Sequence, residues 1–206
     1  ELPEFSKKAL EVLRQPLEDG NVTISRVNGT FTYPADFMLV CAMNPCPCGY
    51  YGAGDGGHRC QCTPYQVNRY VGKISGPLLD RIDIIIETSG VSYKDLTSKK
   101  TSEASSQIRK RVERARQWQL ERYKGTGFTS NNQLTTSAVK KYCKLDSKSQ
   151  KLLSNAYDHM KLTARSYYRI IKITRTIADL DQSKDIKVEH VAEALQYRRV
   201  SNLIGR

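Results

Sequence analysis

Phe37-Met38-Leu39-Val40-Cys41-Ala42-Met43-Asn44-Pro45-Cys46-Pro47-Cys48-Gly49 carries the two features from which the fold is read. Its first seven residues are an unbroken apolar run of strand length. A run without alternation predicts a strand buried on both faces, as in a parallel sheet. Asn44-Pro45 ends it. A Gly- and Cys-rich loop follows, from 45 to about 63. Downstream, 64–72 reads as a short helix, Gly76-Pro77 introduces another at 78–81, and 82–87 is a second buried strand. Two such strands are too few for a complete sheet, so the reading expects missing sequence upstream. The chain opens without Met, which points to a fragment or a processed chain.

Upstream, 2–18 reads as one helix with Phe5, Ala9, Val12, Leu13 and Leu17 on a face, stopped by Gly20-Asn21. Residues 22–33 alternate around Asn28-Gly29, a strong hairpin signal. That register puts Val22, Ile24, Arg26, Phe31 and Tyr33 on one side, with Arg26 near the tip. After a polar linker at 93–102, the chain turns helical. Helices are expected at 103–123 (Ile108, Val112 and Ala115 inward), 135–143, 147–160, 164–180 and 187–199. In the fourth, Tyr167, Ile170, Ile171, Thr174, Ile177 and Ala178 align. In the last, Val188, Val191, Ala192 and Leu195 are expected inside. Each has one apolar stripe, the mark of a bundle. The predicted fold is therefore α/β material over 1–92, with its Cys-rich loop, followed by an all-α domain over 103–206.

Thirty-nine per cent hydrophobic residues and a mean hydropathy of −0.55 suit a soluble globular protein. No apolar run approaches the roughly 18 residues of a membrane span, and no secretory leader is evident. A cytoplasmic location is the expectation. The net charge of +12 is uneven. Residues 1–92 hold 8 Lys/Arg and 10 Asp/Glu, whereas 93–206 hold 25 and 11. So basic a half favours polyanions such as nucleic acid, or serves as a solubilising surface.

Cys46-Pro47-Cys48 and Cys60-Gln61-Cys62 form two close pairs with 11 residues between. Zinc takes four thiolate or imidazole ligands in a tetrahedron, which two such pairs can supply. Glycines in between let the loop fold back, and His58 is a spare donor. The rival readings are two disulfides, disfavoured in the cytosol, or four free thiols, an oxidation liability. A structural zinc site is favoured, and four sulfurs would leave no open catalytic position. Cys41 and Cys143 read as packing residues.

Several ordered motifs now point one way: Glu1-Leu2-Pro3-Glu4-Phe5, the 10–20 helix, Val40-Cys41-Ala42-Met43-Asn44-Pro45, the Cys pairs, Ser75-Gly76-Pro77-Leu78-Leu79-Asp80-Arg81-Ile82-Asp83, and Leu162-Thr163-Ala164-Arg165-Ser166-Tyr167-Tyr168-Arg169. Together they resemble the magnesium chelatase-like AAA+ ATPases, and the Cys loop favours the ComM/YifB branch. The resemblance implies a partial P-loop NTPase core and a helical lid. Glu1 would be the Walker B carboxylate that polarises the attacking water. Asn44 would be sensor 1, Arg81 the arginine finger offered to a neighbouring subunit, and Arg165 sensor 2. The plainer readings are an Asn-Pro turn for Asn44, an ion pair with Asp80 or Asp83 for Arg81, and a solvated stripe for Arg169 and Lys172. Arg26 would occupy the tip of a DNA-gripping hairpin, or simply lie on a surface loop.

No Gly-x-x-x-x-Gly-Lys-[Ser/Thr] run exists in the 206 residues. This chain alone is expected neither to bind ATP tightly nor to hydrolyse it. With the phosphate loop supplied, the resemblance implies an ATP- and Mg²⁺-dependent ring, such as a hexamer. It would act on DNA, as a branch-migration helicase in recombination or transformation. The alternatives are a chelatase-type motor that remodels a protein partner for metal insertion, and a non-enzymatic zinc-binding interaction module.

Overall fold

The structure is a computed structural model, and it describes residues 1–52, 59–88, 90–91, 93, 97 and 102–204. Two compact units divide the chain: Glu1–Gly90 together with Val200–Arg206, and Val91–Arg199.

The first unit starts with a 3₁₀ turn, Leu2–Glu4, then α1 (Lys7–Val12) and α2 (Arg14–Asp19). The single helix expected over 2–18 is thus broken twice. The Ser6 hydroxyl accepts from the Ala9 N–H and starts a new helix there. Pro16 has no N–H for the Val12 carbonyl, so the chain re-forms its helix one residue on, at Leu13. The inward stripe becomes Leu10, Leu13 and Leu17, while Phe5 and Val12 are exposed. Gly20, at φ +64°, closes α2 in the left-handed region.

Next come β1 (Asn21–Arg26) and β2 (Gly29–Pro34), paired antiparallel. Val22 faces Tyr33 and Ile24 faces Phe31, so the expected side is correct. The opposite side is a hydroxyl ladder, Thr23 to Thr32 at 3.1 Å and Ser25 to Thr30 at 3.3 Å. The turn itself is displaced by one residue from Asn28-Gly29. Arg26 pairs with Gly29, leaving Val27 and Asn28 in the loop. Neither has positive φ; the unusual dihedral falls on Gly29, at +142°.

The stretches 37–43 and 82–87 are not strands in any ladder; the hairpin is the only sheet among the described residues. Several of their apolar side chains are exposed. Met38 is 87% exposed, Val40 81% and Ile86 66%. Cys41, expected to pack, lies in the first of these stretches and is exposed as well. Only Met43, Ile82 and Ile85 reach the small core of Leu2, Leu10, Ile74, Leu78 and Leu79. The short helices α3 (Pro64–Val71) and α4 (Gly76–Leu79) complete this unit.

The second unit is helical: α5 (Ser105–Arg122), α6 (Thr136–Tyr142), α7 (Ser147–His159), α8 (Ala164–Leu180) and α9 (Val188–Ile204). Thr135, Asp146 and Thr163 cap the starts of α6, α7 and α8. Its core gathers Leu134, Val139, Leu153, Ile170, Ile171, Val191 and Leu195, among others. Burying each large aliphatic side chain contributes about 1.5–3 kcal/mol. Two inward faces differ from expectation. On α5, Ile108 and Val112 are exposed, and Ala115 and Gln119 are the buried positions. On α9, His190, Val191, Ala194, Leu195 and Arg198 point inward, while Val188 and Ala192 do not.

Polar partners explain these shifts. The Gln119 Oε1 accepts the Asn131 N–H at 3.3 Å. The Lys187 N–H donates to His190 Nδ1 at 3.1 Å, so His190 carries its proton on Nε2, facing Asp181. At the centre, Asp179 is 1% exposed and accepts from Arg122, from Arg175 Nε at 3.1 Å and from Asn131 Nδ2 at 2.9 Å.

Candidate nucleotide and metal centre

Asn44 follows the apolar run, and the Leu2 N–H donates to the Ala42 carbonyl at 2.9 Å. That backbone bond sets the chain start beside residues 42–44. As a result, the Asn44 Nδ2 donates to Glu1 Oε1 at 3.4 Å. Two residues 43 positions apart, singled out for water activation and phosphate sensing, thus meet through their side chains. Tyr70 of α3 closes on the same place. Burial pushes its hydroxyl above the usual range, Glu1 and Glu4 add to this, and a hydrogen bond with the Asn44 backbone opposes it. Tyr70 did not stand out in the sequence, where 64–72 reads only as a short helix.

Immediately after Asn44, the loop folds back. The Gly49 N–H donates to the Cys46 carbonyl at 3.0 Å, and Gly49 has φ +84°, which favours glycine. A Cβ there would meet the Asn44 side chain at 4.0 Å, so the loop backs directly onto Asn44. On the far side, Thr63 and Gln66 form a reciprocal capping box that starts α3 one residue after Cys62. Between these anchors, the four sulfurs of Cys46, Cys48, Cys60 and Cys62 lie within 4.8 Å of one another. Cys46 Sγ is 3.3 Å from Cys48 and 3.7 Å from Cys60, and Cys48 is 3.5 Å from Cys60. A disulfide needs about 2.05 Å. Sulfurs around a tetrahedral ion at Zn–S of about 2.3 Å sit about 3.8 Å apart. The donor set fits a metal ion.

The thiols influence one another strongly. Hydrogen bonds from the Tyr50 backbone and from Cys46 pull the Cys48 thiol down to about 6. For Cys60, a Cys62 backbone hydrogen bond favours the thiolate, but burial and three neighbouring thiols outweigh it and push the group up to about 12. Burial also raises Cys62. One thiolate forms readily and the next resists. A cation relieves this conflict. His58 lies outside the described residues.

Arg81 is held within its own unit. Its Nε donates to the Arg14 carbonyl at 3.0 Å and lies 3.2 Å from Glu18 Oε2, and its Nη1 donates to the Pro77 carbonyl at 2.8 Å. Glu18 is thus an ion-pair partner of Arg81. Arg14 in turn binds Glu11 at 2.6 Å, and Glu11 is held below the usual carboxylate range by a Ser75 hydrogen bond and then by Arg14. Arg26 is exposed at the end of β1.

In the second unit, half-buried Arg165 is the second residue of α8. Arg198, 3% exposed, donates to the Ser166 hydroxyl at 2.9 Å. Arg165 in the first turn and the Arg198 guanidinium on Ser166 thus belong to the start of one helix, where the helix field itself favours an anion. Lys172 donates to the Asn132 carbonyl at 2.8 Å.

Two family models account for nearly all of the sequence. The magnesium chelatase, subunit ChlI model matches residues 1–96, and its C-terminal companion matches 102–198. Over 100% of its length, the chain is 41% identical to competence protein ComM of Haemophilus influenzae, and it covers 39% of that protein. It is 38% identical to YifB of Escherichia coli and 37% identical to YifB of Salmonella typhimurium. In both cases the match takes in 99% of this chain and 39% of the relative. The chain therefore spans about 39% of the length of these relatives.

Proposed function

The chain belongs to the magnesium chelatase ChlI family, in company with ComM and YifB, and from that premise we propose that it forms the sensing and lid portion of an AAA+ ATPase motor that acts on DNA. The contact between Asn44 and Glu1 carries the reading. An amide and a carboxylate at that separation can hold one water between a general base and a phosphate. Tyr70 screens the pair on one side, and the cysteine loop supports Asn44 on the other.

The residues present do not make a complete nucleotide site. The Walker A run is not among them, so ATP and Mg²⁺ chemistry belongs to the full-length protein. What this chain contributes is orientation. Asn44 and Glu1 present their polar ends together. Arg81 is anchored on the α4 turn, within reach of Glu18. Serving a neighbouring subunit in a ring would require it to exchange that partner for a phosphate. Arg165 and Arg198 offer positive charge at the start of α8. The exposed apolar residues of 37–43 and 82–87 become inner strands once further strands flank them. The metal is zinc with a structural role: Cys46, Cys48, Cys60 and Cys62 would hold it, and when bound it supplies a crosslink rather than a reacting centre.

DNA as the substrate is supported by the competence relative and by the basic second half, 25 Lys/Arg against 11 Asp/Glu. Arg26 at the hairpin end is the first candidate contact, and branch migration in recombination or transformation is the specific role. The chelatase description of the family favours a second reading, a motor acting on a protein partner. DNA-stimulated ATP hydrolysis by the full-length protein separates the two. Asn44→Ala is expected to lower turnover by roughly 100-fold or more, the usual cost of one preorganised polar group in a phosphoryl- or acyl-transfer site. Arg81→Ala is expected to abolish turnover of the assembled ring. Turnover that ignores both substitutions removes the sensor and finger roles.

A further inference from the structure

Where α6, α7 and α8 meet, two cavities adjoin. One, of about 430 Å³, is lined by Lys140, Lys144, Gln150, Tyr167 and Tyr168, with Val139, Cys143 and Ile171 as its floor. The other, of about 500 Å³, shares Gln150, Tyr167 and Tyr168 and adds Ser154, Tyr157 and Ala164. Both are open to solvent, as a surface groove is. Three tyrosines run through them edge to face. The Tyr157 and Tyr167 rings are 6.0 Å apart at 83°, and those of Tyr167 and Tyr168 5.3 Å apart at 85°. Tyr167 and Tyr168 also pack on the core, but Tyr157 is 39% exposed and stands outside it.

The charge around these rings is one-sided. Residues 136–168 contain seven Lys/Arg and two Asp. One of the two, Asp146, already accepts the Ser149 N–H at 2.7 Å as the cap of α7. Lys140 and Lys144 are exposed at the cavity. A ligand suited to this surface carries regular negative charge and flat rings. Single-stranded nucleic acid has both: its bases stack on aromatic side chains and its phosphates pair with cations. A duplex keeps its bases stacked on one another, and an acidic peptide supplies charge without rings.

We propose that this tyrosine–lysine groove of the helical unit is a binding site for single-stranded nucleic acid, with Tyr157 as the exposed stacking platform and Lys140 and Lys144 as phosphate contacts. The proposal rests on the DNA-acting reading above and locates a contact separate from the Arg26 hairpin.

The test is fluorescence anisotropy of this chain with a fluorescein-labelled oligothymidylate across a salt series. Tyr157→Ala is expected to weaken binding about tenfold, the scale of losing one base–aromatic stack, and Tyr157→Phe to retain it. The double variant Lys140→Gln/Lys144→Gln should flatten the salt slope by about 1.4, from two lost phosphate contacts on a single strand. Lys7→Gln/Lys8→Gln, in the other unit, should bind as the unaltered chain does. Unchanged Trp118 fluorescence and far-UV circular dichroism show that the variants are folded. Wild-type affinity in Tyr157→Ala overturns the proposal, as does displacement of the probe by polyglutamate or duplex DNA as readily as by unlabelled oligothymidylate. If Tyr157→Ala binds normally while Arg26→Ala does not, the groove falls and the DNA reading stands. If the unaltered chain binds no oligothymidylate at low salt, both fall.

Discussion

In the helical unit, thirteen buried residues form one core; in the α/β unit, five do, among the described residues. Apolar side chains are not scarcer in the second case. Phe37, Met38, Val40, Ile84 and Ile86 are there, but exposed. Helices satisfy their backbone within themselves and need only one covered stripe. A strand satisfies nothing until a neighbour arrives. One unit therefore closes on its own residues, while the other holds its polar site together by a few separate ties: a backbone bond from Leu2 to Ala42, the Thr63 capping box and the cysteine cluster.

If that contrast is correct, the cysteine cluster is the main fastener of the α/β unit, and removing its ion has the largest effect. One zinc per chain is expected by elemental analysis, with an apparent binding energy on the order of 10 kcal/mol, as in structural zinc sites. Cys46→Ser or Cys60→Ser should purify without the metal. Binding displaces thiol protons, so affinity should rise with pH. Hydrogen exchange should speed up in 42–52 and 60–71 of the metal-free chain and stay slow in α8. A chain with no bound metal and unchanged exchange in Cys46→Ser breaks the comparison at this point.

The matching fastener of the helical unit is Asp179. Asp179→Ala would leave the Arg175 guanidinium buried with its carboxylate gone. Such a break costs about 3–5 kcal/mol. Urea unfolding followed by Trp118, the only tryptophan and a residue of α5, should shift accordingly. Zinc content should be untouched. Truncating the two cores ranks next. Leu153, at 2% exposure, and Leu78, at 0%, are each buried, and Leu→Ala costs about 2–5 kcal/mol. Leu153→Ala is expected near the top of that range, because many neighbours hold its cavity open. Leu78→Ala should fall near the bottom, because a thin core collapses more easily. Equal losses would blur the distinction.

How much was legible beforehand follows the same physics. The starts of α6, α7 and α8 were readable because Thr135, Asp146 and Thr163 are caps with a local mechanism. The β1–β2 register was readable from strict alternation, although the preference for Asn-Gly misplaced its turn by one residue. Inward-facing Gln119, His190 and Arg198 were not, because apolar periodicity discards polar residues, and Gln119 and Arg198 meet their partners 12 and 32 residues away. For the candidate site, the spacing of the cysteines sufficed to group them. The Glu1–Asn44 pair came from an ordered family motif rather than from any local pattern. Tyr70 and the Glu18 partner of Arg81 carried no signal, since each is defined by tertiary approach alone.

The smallest effect is the sharpest test of why 37–43 and 82–87 are apolar at all. Met38→Ser and Ile84→Ser change exposed side chains, so each should alter the stability of this chain by less than about 0.5 kcal/mol. In the full-length protein proposed above, the same residues face flanking strands, and each loss should grow to about 1.5–3 kcal/mol, the value of a buried aliphatic or thioether side chain. Urea unfolding of both proteins gives the two numbers. A small change in the short chain and a large one in the long chain identifies 37–43 and 82–87 as strands awaiting a sheet. If both changes stay small, exposure is their final state, and the comparison between a closed unit and an open one loses its structural basis.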